Sequence, residues 1–180
     1  MRQFFILSLP RSRTAWLANF LTYENSFCFH EGLLQTASPY HLKDLFESVG
    51  KGIVGNADCG NIFFLNEIRE IYPDAVFIYI KRDIKDVLDS LGCMSDDFHD
   101  FQTVHMAESL LRELDMPTFR YDELDEYACR EIWELCVGTE FDKTRWEMLD
   151  GMDMTIIEDK KMKQINKFER NVIQHRKEFH

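Results

Sequence analysis

The feature that most constrains this chain is the regular alternation, through its first half, of short apolar runs with stretches of helical periodicity. Residues 3–9 (QFFILSL) read as a buried strand and residues 14–22 as the helix after it. A short strand over 26–29 is followed by a helix over 41–48, and 52–57 (GIVGNA) is strand-like between turn residues. Residues 61–72 carry Ile62, Leu65, Ile68 and Ile71 at helical spacing and stop at Pro73-Asp74. The run 75–81 (AVFIYIK) is rich in branched and aromatic residues and reads as a buried strand. A helix over 83–91 follows it, with an acidic first turn that suits the helix dipole. Such alternation predicts an α/β fold: a parallel sheet between helices, in three layers.

The second half is more helical, with helices expected over about 98–114, 124–137, 142–149 and 160–175. Residues 117–121 (PTFRY) read as a further strand of the sheet and 154–157 (MTII) as another short strand. No repeat, low-complexity tract or linker interrupts the chain. It is expected to form one domain over 1–180, with a core over 1–125 and a helical C-terminal part over 126–180.

Composition narrows the partners. A formal charge of −11 argues against broad binding to nucleic acid or to an anionic membrane face. No apolar run reaches the roughly 18–20 residues that span a bilayer. The five cysteines (Cys28, Cys59, Cys93, Cys129, Cys136) are scattered without a CxxC pair, which favours reduced thiols and a cytoplasmic location. His41, His99 and His105 lack metal-ligand spacing. Trp133 and Trp146, with neighbouring leucines, read as packing anchors.

Against this acidic background the loop "LPRSRT" (residues 9–14) stands out. It sits at the carboxyl end of the first strand, where open parallel sheets bind ligands, and directly before a helix whose first amides are unpaired. Arg11 and Arg13 add forked donors that suit oxyanions, and Ser12 and Thr14 can cap the helix or donate to the anion. The plain alternative is that Ser12 caps the helix and both arginines are solvated. The triphosphatase loop GxxxxGK[ST] is absent, so the loop suits a phosphate-like group without magnesium. In "YIKRDIKDVLDSL" (79–91), Arg82 ends the strongest strand and Ser90 follows eight residues later. The two can converge on a second anion. Otherwise Arg82 pairs with Asp83 or Asp86, and Ser90 merely packs.

"PRSRTAWL" followed by "YIKRDIKDVLDSL" resembles the paired signatures of sulfotransferases that use 3′-phosphoadenosine 5′-phosphosulfate. The resemblance covers roughly the first two-thirds of the chain and implies a P-loop nucleoside-triphosphatase-like fold. It implies that Arg11, Ser12, Arg13, Thr14 and Ala15 cradle the 5′-phosphosulfate, with Trp16 behind them, and that Arg82 and Ser90 bind the 3′-phosphate. "FRYDEL" (119–124) resembles a later family segment whose tyrosine lies near the nucleotide, which adds Tyr121. The chain departs from the family pattern at Arg13, in place of a glycine, and at Ala15, in place of a threonine. No RKGxxG-type segment closes it.

The implied activity is metal-independent, in-line transfer of a sulfuryl group from this donor to a hydroxyl or amine of a small-molecule or glycan acceptor. Arg11 is the candidate for stabilising charge on the bridging oxygen. An acceptor hydroxyl needs a base, and "FCFHEG" puts His30 and Glu31 at the end of the second strand, on the same sheet edge as Arg11. Glu31 is the expected base, with His30 as second candidate or orienter. Alternatively, Glu31 pairs with an arginine and His30 is an ordinary polar residue. Asp58, ending the third strand, is a further candidate. Two other functions stay open: a non-catalytic nucleotide-binding relative, and a P-loop-type nucleotide kinase. The sequence does not specify the oligomeric state.

Overall fold

Strand β1 (Arg2–Ser8) lies at the centre of the sheet because its side chains suit burial on both faces. Phe4 and Ile6 enter one core cluster, Phe5 and Leu7 the other, and all four are fully buried. The computed structural model describes residues 1–36, 38–92, 101–150 and 152. The expected strand over 154–157 and helix over 160–175, together with Cys93 and His99, lie outside the described residues.

In chain order the elements are β1, α1 (Thr14–Phe20), β2 (Ser26–His30), α2 (Leu42–Ser48), β3 (Ile53–Ala57) and α3 (Leu65–Ile71). There follow β4 (Val76–Lys81), α4 (Ile84–Gly92), α5 (Phe101–Arg112), β5 (Thr118–Arg120), α6 (Glu126–Cys136) and α7 (Lys143–Asp150). The five strands pair in parallel in the order β2-β3-β1-β4-β5. Residues 117–121 therefore do supply a sheet strand. In register, Phe4 lies beside Gly55 of β3. A Cβ on Gly55 would sit 2.2 Å from the Phe4 ring, so this position must be glycine for the ring to lie flat across the strand.

One face of the sheet carries α1, α6 and α7. Helix α1 is buried all round from Trp16 to Phe20, as a helix enclosed by other elements is, and its one polar side chain there, Asn19, donates back to the Ala15 carbonyl. Phe20 packs on Trp133 and Phe141, and the Trp16 indole donates to the Leu149 carbonyl at 2.8 Å. Trp133 is thus a packing anchor. At the other end of α1, the Arg145 guanidinium from α7 donates to the carbonyls of Asn19, Phe20 (3.2 Å) and Thr22 (2.6 Å). The opposite face carries α2, α3 and α5, with Phe46, Ile68, Val104 and Leu111 in its core.

The region 61–72 differs from a single helix. A 3₁₀ turn over Cys59–Phe64 precedes α3. Asp58 caps it, accepting from the Gly60 amide, and the buried Asn61 amide donates to the carbonyls of Ile6 and Asn56. These polar contacts to neighbouring strands outweigh the apolar periodicity of the stretch. No helix among the described residues is long and apolar enough to cross a membrane.

Candidate active site

The strand order creates a crevice between β1 and β4. The chain leaves β1 toward β2 on one side and leaves β4 toward β5 on the other. Ligands of open parallel sheets bind beyond the carboxyl ends at such a reversal. Every sequence-derived candidate comes from these ends or the helix just after: Arg11 to Ala15 follow β1, His30 and Glu31 end β2, Arg82 and Ser90 follow β4, and Tyr121 follows β5.

The two signature segments touch. Arg11 Nε donates to Ser90 Oγ at 3.2 Å, and an Arg82 guanidinium nitrogen donates to the Arg11 carbonyl. Arg82 stacks on Tyr121 at 4.2 Å from the ring centroid, and Arg13 approaches the same ring at 5.5 Å and Trp16 at 5.7 Å. Arg11, Arg13 and Arg82 have no salt bridge among the described residues, and Arg82 Nε is buried there without a hydrogen-bond partner. The alternative pairing of Arg82 with Asp83 or Asp86 is not formed among the described residues, and the Asp83 carboxylate accepts the Lys85 amide at the start of α4. Three arginines placed at one crevice without an ion-paired carboxylate among the described residues, in a protein of net charge −11, are an arrangement whose chemistry suits an anion.

Local backbone geometry explains the loop's shape. Arg11 and Arg13 both lie in the left-handed region, at φ 63° and 62°. Arg13 is the N-cap of α1 and makes no side-chain capping bond. Ser12 does not cap either: its buried hydroxyl donates to the Pro10 carbonyl at 3.4 Å. Thr14 Oγ1 instead meets His30 Nε2 at 3.2 Å, tying the loop after β1 to the end of β2. Ala15 offers no hydroxyl.

Glu31 is the third left-handed residue of this edge, at φ 55°. Its carboxylate lies 3.7 Å from His30 Nε2 rather than against an arginine. Its turn is held from below, since Gly32 N donates to Asn56 Oδ1 at 2.8 Å and Leu33 N to Asp58 Oδ2 at 3.0 Å. A Cβ on Gly32 would stand 2.7 Å from Asn56 Oδ1. Asn56 in turn donates to Asn61 at 2.9 Å. Asp58 is 3% exposed and accepts two backbone amides, so its carboxylate builds the turn. Strained conformations of this kind collect where a side chain has a task.

A cleft of about 350 Å³ opens beside Glu31. Its walls come from Pro10, the turn after β2, the 3₁₀ turn after β3, and α5. Burial first, then the charges of Asp58 and Glu31, push the Cys59 thiol on this wall up to about 12, so it stays protonated. Sequence reasoning missed the cleft. The available signal was two apolar pairs, Leu33-Leu34 and Phe63-Phe64, next to strand ends where a turn is expected to be polar. No cluster of His, Cys, Asp and Glu among the described residues is arranged to hold a metal ion.

Comparison with known proteins bears on the family. The family profile described as a sulfotransferase domain matches residues 18–161, well over half of the chain, beginning just after the arginine loop. No curated protein matches significantly. A parallel five-strand sheet flanked by helices is consistent with such a domain, and the chain belongs to the sulfotransferase domain family.

Proposed function

We propose that this protein transfers a sulfuryl group from 3′-phosphoadenosine 5′-phosphosulfate to an acceptor hydroxyl. The observation that carries this reading is the contact of Arg11 with Ser90 and of Arg82 with the Arg11 carbonyl, with Arg13 and Arg82 beside the Tyr121 ring and no carboxylate ion-paired to the three arginines among the described residues. The donor has two anionic ends, and the two signature segments offer two sets of donors at one crevice. In this reading Arg11 and the loop Ser12-Arg13-Thr14-Ala15 hold the phosphosulfate end, while Arg82 and Ser90 hold the 3′-phosphate beside Tyr121.

Sulfuryl transfer asks of the protein mainly positioning and stabilisation of shifting charge. Arg11 stabilises the charge that gathers on the leaving phosphate. Glu31 accepts the acceptor's proton, and His30, held by Thr14, positions Glu31. A leaving phosphate is already weakly basic, so the residues at hand suffice for these roles.

Calorimetric titration with adenosine 3′,5′-bisphosphate, the product of transfer, tests the reading. Saturable one-site binding is expected, with ATP and magnesium binding far more weakly; no heat with the bisphosphate would refute it. Arg11→Ala should slow transfer of labelled sulfate by about 100-fold while weakening nucleotide binding less.

A further inference from the structure

Resting on the activity proposed above, we infer that the cleft beside Glu31 takes a neutral, largely apolar alcohol or phenol as the acceptor, rather than a glycan or an anionic compound. The cleft is contiguous with the donor loop, because Pro10 of that loop and Glu31 both form its wall. At about 350 Å³ it lies at the small end of small-molecule sites, which suits one fused ring system.

The wall chemistry selects the class. Leu33, Leu34, Phe63, Phe64, Val104 and Ala107 present carbon. The polar groups among them are mostly spent. Both Asp58 oxygens accept backbone amides, from Leu33 and Gly60, and burial keeps the Cys59 thiol neutral. A sugar entering here would lose water from many hydroxyls and find few partners, whereas an aromatic ring would lose little. The Glu31 and Asp58 carboxylates, on a chain of charge −11, disfavour a sulfated or carboxylated acceptor. Leu34, 68% exposed, and Phe64, 41% exposed, carry the apolar wall out to the surface. Glu31, whose carboxylate has His30 Nε2 at 3.7 Å and not the two backbone amides that Asp58 accepts, is left as the wall carboxylate for the acceptor's proton.

The reaction balances without a further reagent. The acceptor oxygen forms a bond to sulfur as the bond from sulfur to the phosphate oxygen breaks. That electron pair stays on the phosphate, and the hydroxyl proton passes to Glu31. The products are a sulfate monoester and adenosine 3′,5′-bisphosphate.

The test uses the full chain, 2-naphthol as the apolar probe and cellobiose as the glycan probe. Fluorescence titration with 2-naphthol in the presence of adenosine 3′,5′-bisphosphate should saturate. Labelled sulfate should pass to 2-naphthol with a kcat/KM at least about 100-fold above that for cellobiose. Thr103→Trp, an exposed substitution at the rim of the cleft, should weaken 2-naphthol by about tenfold or more and leave bisphosphate binding unchanged. Phe64→Ser should weaken it less, by removing apolar surface at the mouth. If the bisphosphate binds but 2-naphthol does not, or cellobiose is the better acceptor, or Thr103→Trp changes neither constant, the assignment of the acceptor is overturned while the donor site stands. If the bisphosphate itself fails to bind, the proposed activity falls, and the acceptor class with it.

Discussion

The two ends of helix α1 are both dressed with arginine, and they differ in one respect. At its carboxyl end Arg145 is committed: it donates to three carbonyls, stacks on Tyr23 at 5.1 Å, and burial draws its pKa down. At its amino end Arg13 occupies the N-cap position in a left-handed conformation, with aromatic faces beside it and no salt bridge among the described residues. The first end shows how the fold uses an arginine for itself, satisfying the last carbonyls of a helix. The second holds its guanidinium against the rings of Trp16 and Tyr121 and, among the described residues, commits it to no helix carbonyl, which leaves its charge for the proposed donor.

That contrast can be broken by substitution. The largest effect on stability is expected from Arg145→Met. Losing three charge-assisted bonds to part-buried carbonyls should cost about 3 kcal/mol. Urea unfolding checks this, with adenosine 3′,5′-bisphosphate binding to the folded protein unchanged. Arg82→Ala should do the reverse, leaving the unfolding midpoint nearly constant and weakening the bisphosphate by about 10- to 100-fold. Its signature is discrimination: the variant should bind nucleotides with and without the 3′-phosphate equally, and retained preference would refute the assignment. The smallest effect is the most diagnostic. Arg13→Gly should raise stability by about 0.5–1 kcal/mol, because glycine accepts the left-handed backbone freely, while nucleotide affinity falls. A variant that loses stability would mean that Arg13 serves the fold after all.

How much of this was legible in the sequence depends on the physical scale of the signal. The parallel sheet could be read because buried strands such as β1 and β4 are short, nearly continuous apolar runs, and such runs alternate along the chain with stretches of helical spacing. The convergence of Arg11, Arg82 and Ser90 could be read from topology once the two arginines were placed after strand ends and Ser90 on the helix that follows β4. The turn conformations were not legible. Nothing in "PRSRT" or "HEG" announces that Arg11, Arg13 and Glu31 take positive φ, since arginine and glutamate seldom do. Nor did the 3₁₀ turn before α3 show itself, because buried asparagines decide it and apolar periodicity is blind to them. The cleft escaped for a related reason: it is bounded by four separate segments, and no local pattern carries a shape assembled from a distance.

The paired amides of Asn56 and Asn61 have a consequence of their own. Asn61 grips the central strand through the Ile6 carbonyl, and Asn56 steadies the bend that bears Glu31. In the proposed reading, donor side and acceptor side are thereby keyed to a common buried pin, so their separation is set before either molecule arrives. Loosening that pin would blur the spacing between the reacting partners without removing any group that touches them.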